Sequence, residues 1–320
     1  MQLSELAYLS PKRFNMRGHK RKLPPNTFQH IYQRSINQFV IFYSMEDRLV
    51  YYTIFAVMVR TYGIIALALA LMFDHVHFLI KALDRKTYAQ FIGVTTLTFV
   101  LAYNRDSGRK GPLFEKAYGN GPKRKDKDVR TCIAYDYNNS VEKKLFARAE
   151  QDRWNFLAYI GNPHPFSAPV DKKKASKKLL LSMEAVTRYQ KRNEYLDYPV
   201  VRKLFEGLNV DEREQLLDFI ISLYLPIDLD ALLGYYKSYE DMVISINSNT
   251  GSEYDVKETF DPESHQDFAQ MLEITQRSSF ASDVRSIILA PAALKWQIAD
   301  KLMGLTGGSL NHVKRFLHLV

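Results

Sequence analysis

A chain of 320 residues can bury two cores, and 46% hydrophobic with 25% charged residues is ordinary for a folded protein, which excludes a disordered polyelectrolyte. Cys132 is the single cysteine, which excludes a disulfide framework and fits a reducing cytoplasm; the longest apolar run, 64–73, is far short of the roughly 20 residues that span a bilayer. The net charge of +9 is unevenly spread: residues 1–178 hold 30 Lys+Arg against 14 Asp+Glu, a net of +16, and residues 179–320 hold 14 against 21, a net of −7. Such asymmetry points to a polyanion partner for the first half and does not itself choose between nucleic acid and an anionic membrane surface; with no run long enough to span a bilayer, no membrane is counted among the expected partners.

Residues 1–25 form a basic arm ending in Pro24-Pro25. Weak alternation through Phe28, His30 and Tyr32 predicts a strand over 27–34. Ser44, with Asp47 three residues on, predicts a helix start; apolar residues at helical spacing follow, and Gly63 predicts its stop. Two short apolar runs, 64–72 and 75–81, predict a hairpin of central strands, and a helix is expected over 86–103. A Gly/Lys-rich connector, 116–127, leads into a helix over 126–139, with Asp126 and Asp128 in its first turn where the dipole favours them. This order predicts an α+β, ferredoxin-like antiparallel sheet with helices on one face.

A Pro-rich then Lys-rich stretch, 166–178, reads as a linker. Beyond it the periodicity is helical, over 179–195, 210–225, 228–245, 264–278 and 295–303, so 179–320 is expected to be an all-α C-terminal domain. Residues 295–318 pair two short helices around a Gly-containing turn, with Ser309 as cap and the second helix basic. That pattern suits a helix-turn-helix, and equally a pair packed for stability. His265, far from any motif, reads as structural or surface.

The candidate chemistry sits in Asp74-His75-Val76-His77-Phe78-Leu79-Ile80. Strand side chains alternate, so His75 and His77 share a face about 7 Å apart and could close on one divalent ion. A core strand with two satisfied histidines would read the same way. On the 126–139 helix, Tyr135 and Asn139 are four apart and share a face. An amide oxygen completing a two-histidine metal site, beside a phenol, would suit phosphoryl transfer by a tyrosine nucleophile. A Tyr/Asn-rich surface helix would also fit this pattern. Tyr137 and Tyr103 are secondary nucleophile candidates. Lys123, Arg124, Lys125, Lys127 and Arg130 cluster just before or within the helix and suit phosphate contacts.

Together, His75-Val76-His77, then Gly111-Pro112-Leu113-Phe114-Glu115, then Ala134-Tyr135-Asp136-Tyr137-Asn138-Asn139-Ser140-Val141 resemble the single-tyrosine HUH transposases, in particular the branch associated with repeated extragenic palindromes. Tyr32-Gln33-Arg34-Ser35 and Trp154-Asn155-Phe156 extend the resemblance across about 27–159. The resemblance implies an HUH nuclease domain over 26–165. It implies His75, His77 and Asn139 as ligands of Mg2+ or Mn2+, and Tyr135 as nucleophile. The implied activity is nicking and strand transfer on single-stranded or hairpin DNA through a 5′-phosphotyrosine, in the cytoplasm at the nucleoid, with a homodimer among the possible assemblies. A non-catalytic DNA-binding descendant of such an enzyme is the alternative.

Overall fold

The computed structural model describes residues 23–115, 118–248, 263–277 and 284–320. Most of the expected basic arm, residues 1–22, lies outside the described residues. The first half runs β1 (Phe28–Arg34), α1 (Met45–Tyr62), β2 (Ile65–Leu71), β3 (His75–Lys81), α2 (Arg85–Ser107), β4 (Gly119–Lys123) and α3 (Asp126–Glu142). After it come α4 (Ala158–Gly161), α5 (Lys177–Lys191), α6 (Tyr198–Phe205), α7 (Val210–Tyr224) and α8 (Leu229–Leu233). The chain closes with α9 (Tyr239–Asn247), α10 (Ser264–Arg277), a 3-10 helix Val284–Leu289, α11 (Ala292–Thr306) and α12 (Leu310–Leu317).

Local chemistry sets these boundaries. At the start of α1 the Asp47 amide donates to Ser44 Oγ at 3.1 Å, while the Ser44 amide donates to Asp47 Oδ2 at 3.0 Å, a complete capping box. Gly63 ends the helix in the left-handed region at φ +58°, where a side chain would be strained. The helix expected over 228–245 is two helices, α8 and α9, separated at Gly234–Ser238, where Ser238 caps α9.

The four strands form an antiparallel sheet in the order β2-β3-β1-β4. β3 is central as expected, but β2 lies at an edge. Its buried run Ile-Ala-Leu-Ala-Leu-Ala-Leu would expose an unpaired ladder there, and the second half covers it: the Asp228 amide donates to the Ala66 carbonyl at 2.9 Å.

Helices occupy both faces, not one. Phe78, on the face opposite the histidines, packs against Phe55 of α1 and Phe91 of α2, with ring centres 5.4 and 6.2 Å away. On the other face α3 lies over β2 and β3, and the Tyr137 hydroxyl donates to the Leu67 carbonyl at 2.8 Å. Pattern in the strands could not report this, because β2 is apolar throughout and β3 is buried on both sides, its histidine face included.

The two halves pack continuously. Phe166 N and Ser167 Oγ, in the expected linker, both donate to the fully buried Asp218 of α7, at 3.0 and 2.9 Å. Tyr52 of α1 donates to the Ile221 carbonyl at 2.6 Å. In α12, Val313, Arg315, Phe316 and Leu317 are buried, and the Val40 amide donates to the Arg315 carbonyl at 3.2 Å. One face of α12 is therefore packed against the first half, while Leu310 and Asn311 are exposed and Lys314 is half-buried.

Candidate functional site

Cross-strand register builds the site. His77 on β3 lies opposite Tyr32 on β1, and His30 lies two residues before Tyr32, so the period of two brings His30 to the same face as His75 and His77. α3 covers that face and brings Tyr135 over it. The Tyr135 ring meets the His77 and His30 rings edge-on, with centres 5.4 and 5.5 Å apart. His75 and His77 are themselves perpendicular, centres 4.8 Å apart. His265, from α10, adds a fourth ring perpendicular to His75 at 5.4 Å. Half of the chain's eight histidines thus form one buried row: His30, His77, His75, His265.

A carboxylate stands at two junctions of the row, Asp136 where His30 meets His77 and Asp74 between His75 and His265. Asp136 Oδ1 is 3.0 Å from His30 Nε2. At the other junction Asp74 Oδ1 is 2.5 Å from His75 Nδ1 and 3.3 Å from His265 Nε2, while its Oδ2 accepts from Arg315 Nη2 at 2.8 Å. These contacts form two groups of possible metal ligands among the described residues, His30–His77–Asp136 and Asp74–His75–His265. Geometry separates their roles. His30 Nε2 and His77 Nδ1 are 3.1 Å apart, and the rings are parallel within 3° with centres 5.3 Å apart. Nearly all of that separation runs along the nitrogen–nitrogen line, so the rings meet edge to edge in one plane instead of stacking face to face. Such an in-line contact suits one shared proton. A metal bonded at about 2.0–2.1 Å would need both lone pairs turned off that line.

With Nδ1 committed to His30, His77 has Nε2 to offer a cation; with Nδ1 committed to Asp74, His75 likewise has Nε2. This is the usual support of a metal-binding histidine, its second nitrogen tied to a carboxylate directly or through a neighbour. His75 Nε2 and Asn139 Oδ1 are buried and make no hydrogen bond among the described residues. Leaving such atoms unsatisfied costs about 1–3 kcal/mol each. Imidazole nitrogen and amide oxygen are donors that a divalent cation accepts, and among the described residues the two groups whose ligand atoms lie within 4.8 Å of one another are His30–His77–Asp136 and Asp74–His75–His265.

Electrostatics favour ligand-ready histidines. Burial, with His75 and His30 nearby, pushes His77 well below the ordinary imidazole range. Burial also pushes His265 down to about 4, against the pull of Asp74. Although burial opposes it, the neighbouring His75 and the contact with His265 hold Asp74 well below the usual carboxylate range. His318, whose Nε2 meets the Val40 carbonyl at 2.7 Å, is likewise pushed to about 4 by burial.

A pH dependence follows. A histidine whose folded pKa lies below its unfolded value binds its proton more readily when unfolded, so its contribution is present above about pH 6.5 and is lost as pH falls toward the folded value. His265 and His318 are each expected to cost about 2 kcal/mol of stability at pH 5 relative to pH 7.5. Urea unfolding at the two pH values measures this, His77 adding in the same direction, and His265→Gln should reduce the difference by about 2 kcal/mol.

The other candidate residues separate cleanly. Tyr137 is fully buried and bonded to Leu67, and burial with Asp136 close by pushes its phenol well above the ordinary value. Tyr103 is fully buried beside Phe99 and Tyr198. Arg124, Lys125, Lys127 and Arg130 are exposed, and Lys123 is half-buried, along the end of β4 and the first turns of α3. Sequence reasoning missed His30, Asp136, His265 and Arg315. His30 carried a signal, its alternate spacing with Tyr32, which gains meaning only once β1 is known to lie beside β3. His265 and Arg315 carried none, since they reach Asp74 from 191 and 241 positions away.

Among solved structures, a REP-associated tyrosine transposase bound to a REP hairpin is similar to this chain at a TM-score of 0.37 and 15% identity, over 51% of this chain and 98% of that one. No protein-family model and no curated protein matches the chain. No helix among the described residues is long and apolar enough to cross a membrane.

Proposed function

We propose that the chain is a metal-dependent DNA strand transferase that nicks and rejoins single-stranded or hairpin DNA through Tyr135. The observation that carries this reading is the Tyr135 ring lying edge-on against His77, above a row of histidines with Asp136 and Asp74 set between their rings. The order β-α-β-β-α-β and the strand sequence β2-β3-β1-β4 support a ferredoxin-like, HUH-type core over 26–165. Within it, His75, His77 and Asn139 would hold Mg2+ or Mn2+. The cation, when bound, would polarise the scissile phosphate.

The chain's own groups would do the rest. Tyr135 loses its phenolic proton and its oxygen bonds to phosphorus; the bond to the 3′-oxygen breaks, and that oxygen leaves as a hydroxyl once protonated. The product is a 5′-phosphotyrosine that the same 3′-hydroxyl can reverse, so energy is conserved for rejoining. Lys123, Arg124, Lys125, Lys127 and Arg130 would grip the backbone without reading sequence. A cytoplasmic, nucleoid-associated protein acting alone or as a homodimer is consistent with this reading.

The test is incubation of the purified chain with Mn2+ and single-stranded hairpin oligonucleotides, followed by a denaturing gel. A metal-dependent protein–DNA adduct that disappears with EDTA is expected. Binding without any adduct, across hairpins and metals, would leave a non-catalytic DNA-binding protein instead.

A further inference from the structure

A cavity of about 260 Å3 opens along the seam between the two halves, and none of its lining residues belongs to the histidine row or to the basic stretch 123–130. It brings together Arg48 of α1, Arg153 and Trp154 of the 3-10 helix Arg153–Asn155, and Phe205, Arg213 and Glu214 from α6 and α7. Three guanidiniums thus share one lining with a single carboxylate. Arg153 is matched, since its Nη2 donates to Glu214 Oε2 at 2.5 Å and lies 3.5 Å from the buried Asp218 Oδ1. Arg48 and Arg213 are not: neither makes an ion pair among the described residues. Arg48 Nη1 reaches the Ser44 carbonyl only at 3.5 Å, and Arg213 Nη1 donates to the Phe205 carbonyl at 3.1 Å. Arg48 Nε and Arg153 Nε are buried and make no hydrogen bond among the described residues.

Aromatic rings hold these cations in place. The Arg48 guanidinium carbon lies 5.2 Å from the Phe73 ring centre and 5.6 Å from that of Trp154, and the Arg213 carbon lies 5.3 Å from that of Phe205. Burial lowers the Arg48 guanidinium to about 10, against the pull of Asp152 and Asp47, so it stays charged at neutral pH. A charge taken partly out of water without a counter-ion costs free energy that an entering anion offsets.

We propose that this cavity binds a phosphate group, with Arg48 and Arg213 donating to its oxygens from the two halves of the chain. The planar guanidinium fork matches a phosphate oxygen pair, and each of these two arginines spends one of its five donors on the protein. The volume falls below the range of about 300–1,000 Å3 usual for drug-sized ligands, so the phosphate carries at most one small group, such as a single nucleoside. A free nucleotide and the 5′-phosphate at a DNA end share that chemistry. Glu214, whose side chain is 43% exposed, can turn outward as the anion enters. The proposal does not depend on the metal site.

The experiment uses the full chain carrying Trp296→Phe, which leaves Trp154 as the reporting tryptophan. Sodium phosphate is titrated against sodium chloride of equal ionic strength, followed by thymidine monophosphate and by a single-stranded oligonucleotide with and without a 5′-phosphate. A saturable change in Trp154 emission with phosphate, absent with chloride, is expected. Arg48→Met and Arg213→Met should each weaken phosphate binding on the order of tenfold to a hundredfold, and Lys123→Met should leave it unchanged. Circular dichroism confirms that each variant is folded. Binding of thymidine monophosphate with no preference between the two oligonucleotides assigns the site to free small phosphates. A preference for the 5′-phosphorylated strand that is lost in Arg48→Met assigns it to strand ends. Phosphate that gives neither a saturable Trp154 change nor a heat of binding by calorimetry overturns the proposal, as do two folded arginine variants that bind it as tightly as the parent chain.

Discussion

Tyr135→Phe is expected to lower formation of the covalent DNA adduct by at least about a thousandfold while leaving DNA binding nearly unchanged. The hydroxyl is the single atom lost, and the ring that packs edge-on against His77 and His30 stays in place. Tyr137→Phe makes the contrast. Tyr137 lies two residues on, yet its hydroxyl is spent on the Leu67 carbonyl at 2.8 Å, beneath α3. Its loss leaves a buried acceptor unsatisfied and should cost about 1–3 kcal/mol of stability, with adduct formation retained. Adduct gels and urea midpoints on the two variants separate the roles. Equal adduct from Tyr135→Phe and the wild type would remove Tyr135 from the chemistry.

Asp47→Ala is expected to destabilise the fold by about 3–5 kcal/mol, because it breaks a buried ion pair from one side. Asp47 is fully buried. It accepts from the amides of Tyr43 and Ser44 at 3.0 Å each, from the Tyr198 hydroxyl at 2.9 Å and from Arg285 Nη1 at 3.1 Å. One carboxylate therefore caps α1, anchors α6 and holds the 3-10 helix before α11. Burial pushes its own pKa up even with Arg285 beside it, so the charge is held at a cost that only this full set of partners offsets. Glu46→Ala, one residue earlier and half-buried, is the control and should fall within about 0.5 kcal/mol of wild type. If Asp47→Ala behaves like that control, the two halves do not depend on each other as their packing implies.

The elements of the first half were legible because their signals are local. Ser44, Asp47 and Gly63 mark α1 by capping chemistry, and the acidic first turn of α3 marks its start. The histidine pair and the Tyr135–Asn139 spacing were legible because periods of two and four place residues on one face before any tertiary contact is known. Three things were not legible, for physical reasons. The side of the sheet taken by α3 is hidden when β2 is apolar throughout and β3 is buried on both faces, its histidines included. The break between α8 and α9 depends on the turn 234–238, whose helical periodicity continues across it. The contacts of His265 and Arg315 with Asp74 depend on packing across most of the chain's length, which no local spacing encodes. The basic pattern of α12 pointed outward to DNA, while its Arg315 in fact points inward to Asp74.

The central claim is that Tyr135 forms the bond to phosphorus above the histidine row. Mass spectrometry of proteolysed adduct, formed with Mn2+ and a single-stranded hairpin oligonucleotide, tests it directly. A nucleotide-bearing phosphate on the peptide containing Tyr135, with fragment ions that assign it to that residue, is the expected result. A nucleotide on Tyr32, Tyr137 or any other residue, or cleaved DNA with no modified peptide, would contradict it.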